Sequence, residues 1–209
     1  MHGDIMQLER VEVVERLTAA LSSTLGVERA AYFGSAATGH VDVLSDIDLV
    51  VQCEAEAASR FVRRLHGMLE VVLYRPFSEN CPPAGRYWFA AANPFLRLDV
   101  SFYARPEFEE LMVHGIGPKQ PPFAPIFLGW HGSSVAPSRA LPEWSDLDYD
   151  FAGALRQFHE SAKAVFRGRE PKRPLVKAYD DVRWFESTEL RRDAWQLYER
   201  STSYLPSSA

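Results

Sequence analysis

Residues 34 to 51 read GSAATGHVDVLSDIDLVV. Asp46 and Asp48 flank Ile47 at the start of an apolar run. Alternate residues of a strand point to one face, so the two carboxylates project together, while Ile47 and Leu49 project to the other side. Two carboxylates on one face at a strand's start can bind a hard divalent cation such as Mg2+. Gly34 and Ser35 follow another apolar run, at what the pattern reads as a helix N-terminus. Free backbone N–H groups there favour phosphate, and a glycine lets the backbone come close to it. Ser35 also suits a plain helix N-cap, and the two roles are compatible. A phosphate cradle beside a carboxylate pair points to nucleotide chemistry.

A third acid lies further along. Residues 95 to 103 read FLRLDVSFY, an alternating aromatic and aliphatic strand that Asp99 interrupts. An ionised carboxylate in such a strand costs free energy unless it is paired or coordinated. Two partners are open to it: a metal ion, or Arg97, two residues away on the same face. Asp42, in the loop before the aspartate pair, is a weaker candidate.

These residues need a scaffold. Residues 6 to 25 carry Val14, Leu17, Leu21 and Leu25 at helical spacing, with Gly26 as the stop. Arg29 to Phe33 reads as a short strand leading into Gly34, and residues 46 to 52 as the next strand. Ala58, Phe61, Val62, Leu65 and Leu69 mark a helix over 55–69, and residues 70 to 74 a third strand. Tyr87 to Ala92 and Leu96 to Tyr103 read as a hairpin turning at Asn93-Pro94, after the break at Cys81-Pro-Pro-Ala-Gly85. Six of the 14 prolines fall within 118–142. That stretch reads as an irregular connection, and Phe123, Ile126, Phe127, Leu128 and Trp130 make it a packed one. A helix over 150–167 follows, with Phe151, Ala154, Leu155, Phe158, Ala162 and Val165 on one side. Pro174 suits the first turn of another, and Ser187 could cap a last helix carrying Leu190, Ala194, Leu197 and Tyr198. The expected class is α/β (α+β): a small mixed-sheet domain over 1–104, a proline-rich packed connection over 105–149 and a helical C-terminal part over 150–209.

Gly-Ser, ten intervening residues and Asp-x-Asp, with a third acid on a later strand, resemble the polymerase-β-like nucleotidyltransferase superfamily. The resemblance covers residues 28 to 104, about half the chain. It implies that Asp46, Asp48 and Asp99 hold two Mg2+ ions, with Asp99 also helping to deprotonate the attacking hydroxyl. It implies that Gly34, Ser35 and Ser45 bind the nucleotide, an NTP and by expectation ATP. One departure stands out. Many relatives carry Ala-Arg-Gly after the Gly-Ser, whereas this chain reads Ala37-Thr38-Gly39. A catalytic domain followed by helices is similar to the antibiotic nucleotidyltransferases. The implied reaction transfers a nucleoside monophosphate to a hydroxyl of a small molecule. Two alternatives stay open: a minimal, antitoxin-like enzyme that adenylylates a protein, and a non-catalytic nucleotide-binding module of the same fold.

Composition narrows the setting. The 209 residues are 46% hydrophobic, enough for a packed core. No apolar run reaches the length of about 18 residues needed to span a membrane, and no apolar signal segment opens the chain. Cys53 and Cys81 show neither metal spacing nor a disulfide framework, so a cytoplasmic setting with free thiols is expected. A net charge of −5 argues against a general nucleic-acid binder. Residues 1–150 carry −8 and residues 151–209 carry +3. An acid-rich cleft would draw a cationic acceptor such as an aminoglycoside, with Glu160 as an ammonium ligand or general base if it faces that cleft. Arg156, Lys163, Arg167, Arg169, Lys172, Arg173 and Lys177 form a basic stretch that reads as a solvated face or as contacts to the triphosphate. The histidines show no ligand spacing, and His40 is nearest the motif. Tyr149, Tyr179 and Trp184 are aromatic candidates for stacking on a base.

Overall fold

Strand β2 (Ile47–Cys53) and strand β5 (Arg97–Tyr103) run parallel and adjacent, with Asp48 directly beside Asp99. Almost every residue of both is buried in their first halves, as befits strands covered on both faces. The structure is a computed structural model that describes residues 10–42, 44–78, 83–90, 92–115, 123–126 and 137–205. It is a mixed α/β fold with a six-stranded sheet in the order β3-β4-β5-β2-β1-β6, in which β3 is Val71–Pro76. The expected α+β class is what is found. The chain divides into two compact units, Met1–Val71 with Pro76–Pro142, and Val72–Arg75 with Glu143–Ala209.

In the first unit, β1 (Val27–Phe33) pairs antiparallel with β2, bringing Phe33 opposite Asp48. β4 (Gly85–Phe89) pairs antiparallel with β5, bringing Arg86 opposite Asp99. Helix α1 spans Arg10–Ser22, and α3 spans Ala55–Leu69. The buried stripe of α3 is Ala57, Ala58, Phe61, Val62, Leu65 and Leu69, the 3.6-residue spacing that the sequence displays. Helix α1 buries Val13, Leu17, Ala20 and Leu21. Leu25 is 78% exposed, contrary to its expected place on that face. The helix ends at Ser22, so the periodicity no longer governs three residues later.

The 105–149 stretch is more regular than its prolines suggest. Arg105–His114 forms helix α4, opened by Pro106 in its first turn. Phe108 of α4 packs with Ala31 and Val50, and Phe33, Tyr103, Leu111, Met112 and Phe123 close around them. Ala124–Ile126 forms β6 and pairs with β1 at the sheet edge. Phe127, Leu128, Trp130, Cys81, His2 and His131 lie outside the described residues, as does the tail from Pro206.

In the second unit, α5 (Asp146–Phe166) starts four residues before the expected helix start at residue 150. A capping box explains this. Asp148 N–H donates to Ser145 Oγ at 3.2 Å, and Ser145 N–H donates to Asp148 Oδ2 at 2.8 Å. Phe151, Leu155, Phe158 and Ala162 are buried as expected, but Val165 is exposed near the helix end. Helix α6 (Leu175–Arg183) and helix α7 (Arg192–Thr202) complete the unit. Pro174 stands at the N-cap of α6 rather than in its first turn. Ser187 does not cap the last helix. It ends a 3-10 turn over Trp184–Ser187, and Thr188 binds back to the Phe185 carbonyl through N–H and Oγ1. Leu190 therefore precedes α7 instead of belonging to it. Tyr179 packs against Phe158 and Tyr198, and Tyr149 against Tyr74. Trp184 is 67% exposed.

The contrast between two positions tests this packing. Phe61 is fully buried and meets Phe102 edge-on at 5.9 Å. Phe61→Ala should lower unfolding stability by about 3–5 kcal/mol in urea titrations. Leu25→Ala should change it by less than about 0.5 kcal/mol.

Candidate functional site

Gly34 leaves β1 with φ 63 and ψ −141, a backbone that residues with a Cβ rarely adopt. A Cβ at this position would also run into the Asp48 carboxylate. The glycine and the aspartate are therefore in direct apposition. Helix α2 (Ser35–Thr38) is a single turn, and its N-cap residue is Gly34. Ser35 is the first helical residue rather than the N-cap, and its carbonyl accepts from the Gly39 and His40 N–H groups. An anion here would meet backbone N–H groups rather than a long helix dipole.

The aspartates are held by arginines. Asp46 lies one residue before β2, and its backbone carbonyl accepts from Arg10 Nη2 at 3.1 Å. Arg10 also donates to the Ser45 carbonyl, so the start of α1 pins the loop that presents Asp46. Arg97 Nη2 donates to Asp46 Oδ2 at 2.8 Å, and Arg97 Nε donates to Asp99 Oδ1 at 2.7 Å. Arg86 Nε lies 3.4 Å from Asp99 Oδ2. The Arg97 side chain is only 7% exposed. Its guanidinium bridges two acids that are remote in sequence. Asp48 stands beside Asp99 in the parallel register and, by the alternation of strand side chains, on the same sheet face.

Burial pushes the Asp99 carboxyl above the usual aspartate range, and the Asp46 charge adds to this. Arg97 and Arg86 offset part of the rise, Arg97 the more strongly. Burial likewise lowers the Arg10 pKa from its ordinary value, against the pull of Asp46.

The six site residues expected from the sequence thus divide. Asp46 and Asp99 meet through Arg97, Asp48 adjoins Asp99 in register, and Gly34 abuts Asp48. Ser35 opens the adjoining turn. Ser45 is otherwise engaged: its hydroxyl donates to Asp42 Oδ1 at 2.7 Å and accepts from Asp42 N–H at 3.1 Å. Asp42 Oδ1 also accepts from Leu44 N–H at 3.0 Å, so Asp42 serves a turn. The Arg97–Asp99 ion pair, left open by the sequence, is present. Arg10 and Arg86 had no signal in the sequence. Arg86 reaches Asp99 only through the β4–β5 register, and Arg10 through the packing of α1.

Three carboxylates are hard oxygen donors suited to Mg2+. Two of them already share a cation, the Arg97 guanidinium. Among the described residues, no group of three or more His, Cys, Asp or Glu side chains stands ready to hold a metal ion. The donor chemistry fits Mg2+, and the place between Asp46 and Asp99 is held by Arg97.

Of the other sequence candidates, His40 is exposed. His66 Nδ1 accepts from Val71 N–H at 2.8 Å, and His159 Nε2 lies 2.8 Å from Ser201 Oγ. Both are buried in packing roles. Glu160 is exposed and lines a cavity within the second unit whose other charged side chains are mostly cations. That setting disfavours it as an ammonium ligand.

Comparisons with protein-family models, with curated proteins and with solved structures find no match to this chain.

Removing Arg97 should expose its role. Arg97→Gln leaves the buried Asp99 and the half-buried Asp46 without their shared cation, at a cost of about 3 kcal/mol in denaturant unfolding. It should also raise the Asp99 titration midpoint further, as followed by carboxyl carbon NMR. Asp99 already titrates above its unfolded value, so the folded state holds more protons in that window. Stability is therefore highest below the unfolded pKa and is lost as pH rises through the folded one. The variant should steepen that loss. A midpoint unmoved by the substitution would contradict the bridging role.

Proposed function

We propose that the chain is a Mg2+-dependent nucleotidyltransferase that moves AMP from ATP to a hydroxyl of a small molecule. The observation that carries the reading is the parallel register placing Asp48 beside Asp99, with Asp46 joined to Asp99 through Arg97 and Gly34 against Asp48. The motif pattern in the sequence and this juxtaposition agree. In the reaction, the acceptor oxygen attacks the α-phosphorus, and the bond to the pyrophosphate oxygen breaks. Gly34 provides close backbone access for the phosphates, and the N–H groups of the α2 turn donate to them. An Asp99 carboxylate oxygen takes the hydroxyl proton. Asp46 and Asp48 orient the site through their charge. The divalent ion, when bound to these carboxylates, supplies charge neutralisation for the triphosphate and the leaving group.

A second reading is favoured by Arg97. A guanidinium already bridging Asp46 and Asp99 suits a nucleotide-binding module that has no turnover. The two readings part on chemistry. Incubation with α-labelled ATP, Mg2+ and a panel of aminoglycosides, lincosamides and protein fractions tests them. Label on a small acceptor supports the enzyme. Label on a protein alone overturns the small-molecule acceptor. ATP binding without transfer to any acceptor favours the module.

Asp48→Asn should abolish Mg2+-dependent pyrophosphate release while the melting temperature stays within about 2 °C. Gly34→Val should abolish ATP binding in calorimetry, because its side chain would occupy the space of the Asp48 carboxylate. Unchanged ATP affinity in Gly34→Val would remove the phosphate role from this turn.

A further inference from the structure

The second unit holds a cavity of about 610 Å3 along the last three turns of α5 and the chain that follows it. Gly168, at φ 64, turns the chain back in a conformation that favours glycine. Ser161 Oγ donates to the Arg173 carbonyl at 2.8 Å and ties the returning segment to the helix. The walls carry Arg156, Lys163, Arg167, Arg169, Lys172 and Arg173, with Glu160 and Glu170 as the acids. The formal excess is four positive charges. Arg173 is also paired with Asp181, which lowers the excess to about three.

Cations at a helix C-terminus can serve the helix alone. Here the backbone already does much of that work. Arg167 N–H donates to the Lys163 carbonyl at 3.1 Å, Gly168 N–H to Val165 at 2.9 Å and Arg169 N–H to Ala164 at 2.8 Å. The clustering of six cations around one concavity exceeds what the helix end needs. Lys163, 2% exposed, is part of the same wall.

We infer that this cavity binds a small ligand carrying two or more phosphate groups. Four of the six cations are guanidinium forks, whose geometry matches phosphate oxygens bidentately. The volume suits a small molecule. The chain's net charge of −5 disfavours a polynucleotide. The assignment does not draw on the aspartate cluster and stands whether or not that cluster turns over nucleotide.

Calorimetry of the full chain with inorganic tripolyphosphate in EDTA tests it, since chelation removes any metal-dependent phosphate binding. Saturable one-to-one binding is expected. Arg167→Glu with Lys172→Glu changes two exposed side chains and should weaken affinity at least tenfold with unchanged circular dichroism. Gly34→Val should leave it unchanged. Lys163→Met, if it folds, should weaken it as well. Undiminished affinity in the double variant overturns the inference, as does loss of binding in Gly34→Val. A single-stranded oligonucleotide that binds through the same two cations more tightly than tripolyphosphate would also overturn the small-ligand assignment.

Discussion

Carboxylates inside a sheet must be met by cations, and the β2–β5 pairing brings that requirement to one place. Asp48 and Asp99 are side by side in central strands, and Asp46 enters just before β2. Like charges this close would repel at any pH where they ionise. Arg97 resolves the conflict for Asp46 and Asp99, and Arg86 adds a second positive charge beside Asp99. Such a pair contributes little net stability compared with an apolar pairing. The Gly34 backbone and the one-turn helix after it complete the same corner of the fold.

The sequence made some of this legible and hid the rest for physical reasons. The α3 stripe was readable because an amphipathic helix repeats the same apolar spacing over four turns. The Asp-Ile-Asp strand start and the β4–β5 hairpin were readable from alternation and the Asn93-Pro94 turn. The parallel partner of β2 was not, because no local pattern records which strand lies alongside. The reach of Arg86 and Arg10 depends on that long-range pairing. Leu25 was misplaced because periodicity does not say where a helix stops. Residues 105–126 hid a helix and an edge strand behind proline content, although Pro106 opens α4 instead of breaking it. Ser187 had the right residue type for a cap, but the backbone there closes a 3-10 turn.

Charge is unevenly divided along the chain. The acidic excess of residues 1–150 includes the three buried or half-buried aspartates. The basic excess of residues 151–209 is gathered largely around one cavity. Trp184 and the three aspartates beside it form a shallower depression of about 490 Å3 in the second unit. Its mixed lining, with Arg75 among the acids, lacks the single-signed charge that defines a ligand class.

The most direct measurement is a crystal structure of the protein with a non-hydrolysable ATP analogue and Mn2+, using anomalous scattering to locate the metal. The account predicts a manganese peak at the carboxylates of Asp46, Asp48 and Asp99, with Arg97 withdrawn from its bridge and phosphates against Gly34. Nucleotide and metal bound elsewhere, with Arg97 still joining Asp46 to Asp99, would contradict it.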